Sequence, residues 1–213
     1  MLYLKRLPIL LLTAILTISF FSCTADEEIT KAPVTEDYLK EARTIILDSL
    51  VLNAHAMQGT VSKTLLPTGC PLKYHFKWKS DDELTLQLLA FQVGRMPFEI
   101  WFTINCKFIQ LNAWEKQEYK GDGWIKLQGT GGNTIYNSNT DDYESGDGGG
   151  GSVTGFLNVK TKEIEFVTNF NVMNMSSDVF RQKIDHSRME RFEEEFAQYE
   201  KDLAQYKKDH GII

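Results

Sequence analysis

Between Phe98 and Ile109 the chain reads Phe98-Glu99-Ile100-Trp101-Phe102-Thr103-Ile104-Asn105-Cys106-Lys107-Phe108-Ile109. Phe98, Ile100, Phe102, Ile104, Cys106 and Phe108 therefore share one apolar face of a strand, which puts Cys106 on the core side. The other face carries Glu99, Thr103, Asn105 and Lys107, with Trp101 among them. Alternation of this length marks a half-buried strand.

Neighbouring segments repeat the pattern. In 72–78, Leu72, Tyr74, Phe76 and Trp78 oppose Lys73, His75 and Lys77. The run 83–93 starts with Leu84, Leu86 and Leu88, then changes parity at Leu89 and Phe91, which predicts a bulge or burial on two sides. Segments 123–128, 152–160 and 163–173 read as further strands, and Val159 and Ile164 flank a turn that makes the last two a hairpin. Strands at this spacing, with no helical crossovers, predict a mainly β fold: an antiparallel sheet curled toward a small barrel or sandwich.

Helices are expected at both ends. Thr35 is a credible N-cap, Glu36 and Asp37 suit a first turn, and Tyr38, Ala42, Ile45, Ile46 and Leu50 recur at helical spacing, so an amphipathic helix is expected over 37–52. A long C-terminal helix is expected over about 178–209. Its Met189, Phe192, Phe196, Tyr199, Leu203 and Tyr206 form an a/d seam rich in aromatics, better suited to packing on the sheet or first helix than to a dimeric coiled coil. Residues 129–152, rich in Gly, Asn and Asp, lose all apolar periodicity and read as a long mobile loop.

The composition fits a folded domain. Of 213 residues, 42% are hydrophobic and 24% charged, which excludes a wholly disordered chain, a collagen-like fibre and a polytopic membrane protein. The N-terminus has its own logic. A basic start with Lys5 and Arg6 precedes an apolar run over 7–21, which is shorter than the ~20 residues that span a bilayer. Ser22 and Cys23 follow. Phe20-Phe21-Ser22-Cys23 resembles a lipobox, in which signal peptidase II cuts before the cysteine and its sulfur is diacylated. The acidic Thr24-Ala25-Asp26-Glu27-Glu28 is similar to the surface-export signal of Bacteroidetes-type lipoproteins of unknown function, and Phe20 in place of Leu is a variation found among them.

This resemblance covers residues 1–28 only. It implies a signal peptide over 1–22, acylation of Cys23, and an outer-membrane, lipid-anchored, surface-exposed address. The remaining chain divides into a flexible acidic tether over 23–34 and one β-rich domain over 35–213. Removing Lys5 and Arg6 leaves 21 basic against 29 acidic residues, which argues against nucleic-acid binding. With Cys23 acylated, Cys70 and Cys106 remain as an even pair in an exported protein, a candidate disulfide whose alternative is two buried thiols.

The sequence names no activity. It holds no G-x-S-x-G elbow, phosphate loop, H-E-x-x-H or C-x-x-C, so no enzyme, cofactor or metal is expected. His186 and Glu190 lie one helical turn apart, but two ligands do not make a metal site. Asn137, Asn139 and Asp141 hold calcium-loop spacing, yet Asp142 and Gly148 stand where Gly and Glu are needed. Lys73, His75, Lys77 and Lys79 form a basic row that would attract an anion or guard an edge strand.

Aromatics carry the best binding argument. Trp101 shares its face with Asn105, and Trp124 with Lys126, which pairs a flat apolar platform with directional polar groups. These four residues are the expected contacts for a glycan-like or small-molecule ligand, unless a covering helix buries both indoles. The rival expectation is an assembly protein that docks a partner through its C-terminal aromatic seam.

Overall fold

The computed structural model describes residues 34–94, 96, 98–138 and 150–212, with 137 and 138 by backbone alone. Residues Lys31–Ile213 form one compact unit. In chain order the elements are α1 (Glu36–Ile45), β1 (Ser49–Gln58), β2 (Val61–Ser62), β3 (Cys70–Trp78), β4 (Glu83–Phe91), β5 (Phe98–Ile109), α2 (Glu115–Glu118), β6 (Trp124–Ser138), β7 (Gly151–Asn158), β8 (Glu163–Asn169), β9 (Met175–Lys183), a 3-10 turn (His186–Met189) and α3 (Phe192–Asp209).

Every pairing is antiparallel. Strands β1 and β3 to β9 meander in order, and β9 returns to pair with β1, so eight strands close a barrel. The short β2 adds to the far end of β1. Closure removes the edges that an open sheet would expose. It also corrects the edge-strand reading of the basic row, because β3 lies between β1 and β4. At the seam, β9 bulges between Phe166 and Ile164 of its other neighbour. The Gln182 side-chain amide then stands in for backbone. It donates to the Asn53 carbonyl (2.8 Å) and accepts from the Asn53 N–H (2.9 Å).

Strand β5 is as its alternation predicts, and the hairpin of β7 and β8 pairs Asn158 with Glu163. The parity change in β4 is a bulge, with Ala90 at a φ of 50°. Three expectations are corrected. The first helix stops at Ile45, and 49–52 belong to β1. Residues 178–183 belong to β9, His186 sits in a 3-10 turn, and the last helix begins only at Phe192. The supposed loop 129–152 is strand from Gly129 to Ser138 and again from Gly151, with 139–149 outside the described residues. The calcium spacing ends there too: the Asn137 backbone lies near the end of β6, paired with Glu99, while Asn139 and Asp141 are outside the described residues.

Gly132, Gly151 and Gly155 are inward-facing sheet positions beside large rings. A Cβ on Gly132 would lie 2.6 Å from the Phe102 ring, one on Gly151 2.4 Å from it, and one on Gly155 2.2 Å from Phe166 Cβ. Tyr74, Phe91, Phe102, Phe166 and Phe170 are fully buried and occupy the interior. Eight strands leave just enough room for side chains, so this barrel is filled rather than open.

Helix α1 covers the end of the barrel where β1 starts. Ala42 and Ile45 are buried, the Trp78 indole donates to the Ile46 carbonyl (3.0 Å), and Arg43 pairs with Asp81 (2.9 Å). Thr35 occupies the N-cap but makes no side-chain capping bond. Helix α3 packs along β3, with Tyr199 buried and Phe196, Leu203 and Tyr206 partly buried against the same core. Its aromatic seam therefore faces its own barrel.

Candidate functional site

The β5–β6 connection builds the most developed feature of the outer wall. Asn112 Oδ1 accepts from the N–H groups of Trp114 (2.9 Å) and Glu115 (2.8 Å), while Glu115 Oε2 accepts from Asn112 N–H (2.8 Å). This reciprocal capping box fixes the single turn of α2. The other oxygen of Glu115 takes Lys126 Nζ at 2.5 Å, and both side chains are largely buried. Lys126, expected as a ligand contact, is thus committed to holding α2 on the barrel.

Tyr119 follows α2 and lies flat on Phe156 of β7, with ring centroids 3.8 Å apart and planes at 21°. Trp124 meets it edge-on at 5.0 Å and 63°. The Trp124 indole donates to the Lys120 carbonyl (3.3 Å), and the Tyr119 hydroxyl donates to Glu165. Glu165 also pairs with Arg181 (2.7 Å), whose guanidinium sits 5.0 Å from Tyr119 and 5.1 Å from Trp124. Burial pushes the Tyr119 phenol up, and the bond to Glu165 pushes it further, so it stays protonated at neutral pH.

Two hollows meet at Tyr119. One, about 350 Å³, is lined by Trp124, Tyr119, Tyr38, Leu111, Lys116 and Asp122. The other, about 410 Å³, runs over β7 to β9 toward β1, past Phe156, Val167, Phe180, Asp178 and His55. His55 and Asp178 are cross-strand partners. Burial raises the Asp178 carboxyl, opposed by the nearby His55, and the buried His55 Nδ1 has no hydrogen-bond partner. Tyr119 itself is buried, and the half-buried Trp124 and Phe156 offer aromatic surface bordered by charged groups, which suits binding. Among the described residues no group of three or more His, Cys, Asp or Glu side chains is placed to hold a metal ion.

The structure does not bring the four expected contacts together. Trp101 is half-buried on the outer wall opposite Ile135. Asn105 is exposed, accepts from the Thr85 hydroxyl (2.9 Å) and lines a separate hollow with Glu83, Lys107 and Gln128. Since Ile109 pairs with Lys126, Trp124 lies about ten strand residues, or roughly 33 Å, from Trp101. Among the described residues no helix covers both indoles, and α3 packs on β3 instead. In the basic row, Lys73 Nζ sits 4.3 Å from the Phe192 centroid, and Ser49 Oγ is 2.8 Å from His75 Nδ1.

The disulfide is also corrected. Cys70 and Cys106 are both buried free thiols, and burial pushes each up to about 12. Cys70 opens β3, whereas Cys106 pairs with Leu84, which pairs with Trp78 at the other end of β3. Eight residues of strand separate those levels, roughly 26 Å, far beyond the ~7 Å limit between bridged Cα atoms.

Tyr119, Phe156, Arg181 and Glu165 were not singled out from the sequence. Only Tyr119 beside Trp124 in the chain hinted at the cluster, and the short connection around it has no periodicity to follow. No curated protein and no solved structure matches the chain. A family profile does, over residues 23–211, and the chain therefore belongs to the family described as a domain of unknown function, DUF4903.

Proposed function

We propose that this chain is a lipid-anchored outer-membrane lipoprotein, exposed at the cell surface, whose barrel is a non-catalytic binding module for a glycan-like ligand. The anchor rests on the lipobox-like Phe20-Phe21-Ser22-Cys23 and the acidic residues after it. That the family match begins at Cys23 supports the same reading.

One observation carries the binding role: the corner of Trp124 and Tyr119 in an open hollow beside Tyr38, Asp122 and Lys116. Apolar faces of sugar rings stack on such surfaces, while neighbouring carboxylate, ammonium and phenol groups bond ring hydroxyls. The interior is closed to a ligand by its own aromatic rings. The outer wall is therefore the binding surface.

Calorimetric titration of residues 31–213 with a panel of neutral and acidic oligosaccharides tests this reading. Saturable heat that persists in Trp101→Ala and disappears in Trp124→Ala is expected. A panel without any saturable heat would overturn the binding role. The anchor is tested separately by radiolabelled fatty-acid incorporation into the full chain, which Cys23→Ala should abolish.

A further inference from the structure

Trp114 is the most exposed large apolar side chain among the described residues, at 79%. It is not on a loose loop. The Asn112–Glu115 capping box receives its backbone N–H, and the ion pair of Glu115 with Lys126 fastens that turn to the barrel. A rigid support that holds an indole out in water gives up apolar burial that a small polar residue there would not forgo. The support presents Trp114 to something.

Its position shows what that is. Val34 and Thr35 line the same hollow as Leu111 and Lys116, which flank Trp114 in the chain. Val34, the first described residue, thus lies close to the turn that carries the exposed indole. Eleven residue steps separate Cys23 from Val34, so Val34 lies within about 40 Å of an acylated Cys23. Leu47, 46% exposed just beyond α1, lies at this same end of the barrel.

We propose that this end is a membrane-docking face, with Trp114 inserted at the lipid–water interface of the bilayer that carries the anchor. The inference rests on acylation of Cys23 in the reading above. Indoles favour the headgroup level, where an apolar ring and an N–H donor are both accommodated. One tryptophan binds a bilayer weakly when free. On a leash this short it needs only to orient a domain already held at high effective concentration.

Three cations at this end are already neutralised, since Arg43 pairs with Asp81, Lys160 with Glu41 and Lys126 with Glu115, and Lys116 shares its hollow with Asp122. A zwitterionic bilayer should therefore suffice. Docked this way, the barrel holds the Trp124 hollow close to the membrane plane and α3 along its side.

The test uses the mature acylated protein, purified from membranes and reconstituted into phosphatidylcholine vesicles. Half of the preparations carry bromine near the headgroup end of the acyl chains, which quenches indoles at that depth. Trp114 is one of four tryptophans, so the expected loss is at most one indole's share of the emission. That loss should occur in the wild type, persist at high salt and vanish in Trp114→Phe. Protein that floats with the vesicles but is quenched equally in wild type and Trp114→Phe, or not at all, overturns docking and leaves the anchor standing. Protein that does not float overturns the anchor and the docking with it.

Discussion

The inner and outer faces of the barrel wall use aromatic residues to opposite ends. Inside, Phe102 and Phe166 lie over glycines whose missing side chains make room for the rings. Outside, Tyr119 is buried against Phe156 and Arg181, while Trp124 and Phe156 stay half-buried and keep part of their rings open beside Arg181, Glu165 and Asp122. The residue types are the same, and what lies opposite each ring sets the role. An inward ring completes a packed interior, whereas an outward ring beside charges leaves a surface that a planar ligand can use.

Removing an inner ring should have the largest effect. Phe102→Ala is expected to destabilise the domain by about 3–5 kcal/mol in urea unfolding, the range for large aromatic truncations in cores. Adding a methyl group opposite that ring comes next. Gly132→Ala should lose about 1–3 kcal/mol through overpacking. Because both changes act on one contact, Gly132→Ala made in a Phe102→Leu background should lose clearly less. Strict additivity would break the pairing of inner glycines with rings.

On the outer face, Trp124→Ala should lower stability by only about 1–2 kcal/mol, one edge-to-face pair plus the burial of a half-exposed indole, while removing ligand binding. A loss as large as that of Phe102→Ala would mean the outer cluster is structural. The smallest effect concerns charge. Burial raises the Asp178 carboxyl in the folded state, so the unfolded chain releases this proton first. The protonated form is favoured by folding, and that stability is lost as pH rises from below 3.8 through the folded value. Asp178→Asn should therefore raise the unfolding midpoint at pH 7 and leave it unchanged below pH 3.8.

The same contrast explains what could be read from residues alone. Strand β5 was legible because its inward positions carry side chains of their own. Its neighbour β6 was half hidden, since inward Gly129 and Gly132 make room for Cys106 and Phe102. The first four residues of β1 were absorbed into a helix and the rest went unassigned, because inward Ala54 and Ala56 give a weak alternation after Leu50 and Leu52. In β9 the inward Met175 and Val179 are separated by Ser177, which also points inward to within 2.6 Å of the Tyr74 hydroxyl, and Phe180 is exposed, so the alternation is broken at two positions.

Of the expected contacts, Trp124 alone belongs to the cluster, and apart from the nearby Tyr119 and Lys120 the cluster is completed from β7, β8 and β9. Periodicity places a residue on a face but not beside strands that arrive later in the chain. The Cys70–Cys106 expectation failed for that reason: it rested on an even cysteine count, parity placed only Cys106, and the register shows the two thiols level with opposite ends of β3.

The central claim is that ligand sits on the outer wall at Trp124 and not within the barrel. Nuclear magnetic resonance of the indole N–H groups in residues 31–213 addresses it directly, with each signal assigned by single Trp→Phe substitution. As an oligosaccharide identified by calorimetry is titrated, the Trp124 signal, whose N–H donates to the Lys120 carbonyl, should move to saturation. The signals of Trp78 and Trp101 should stay in place. Movement of Trp101, or of the methyl groups of Leu86 and Ile104 inside the barrel, with Trp124 unmoved, would contradict the account.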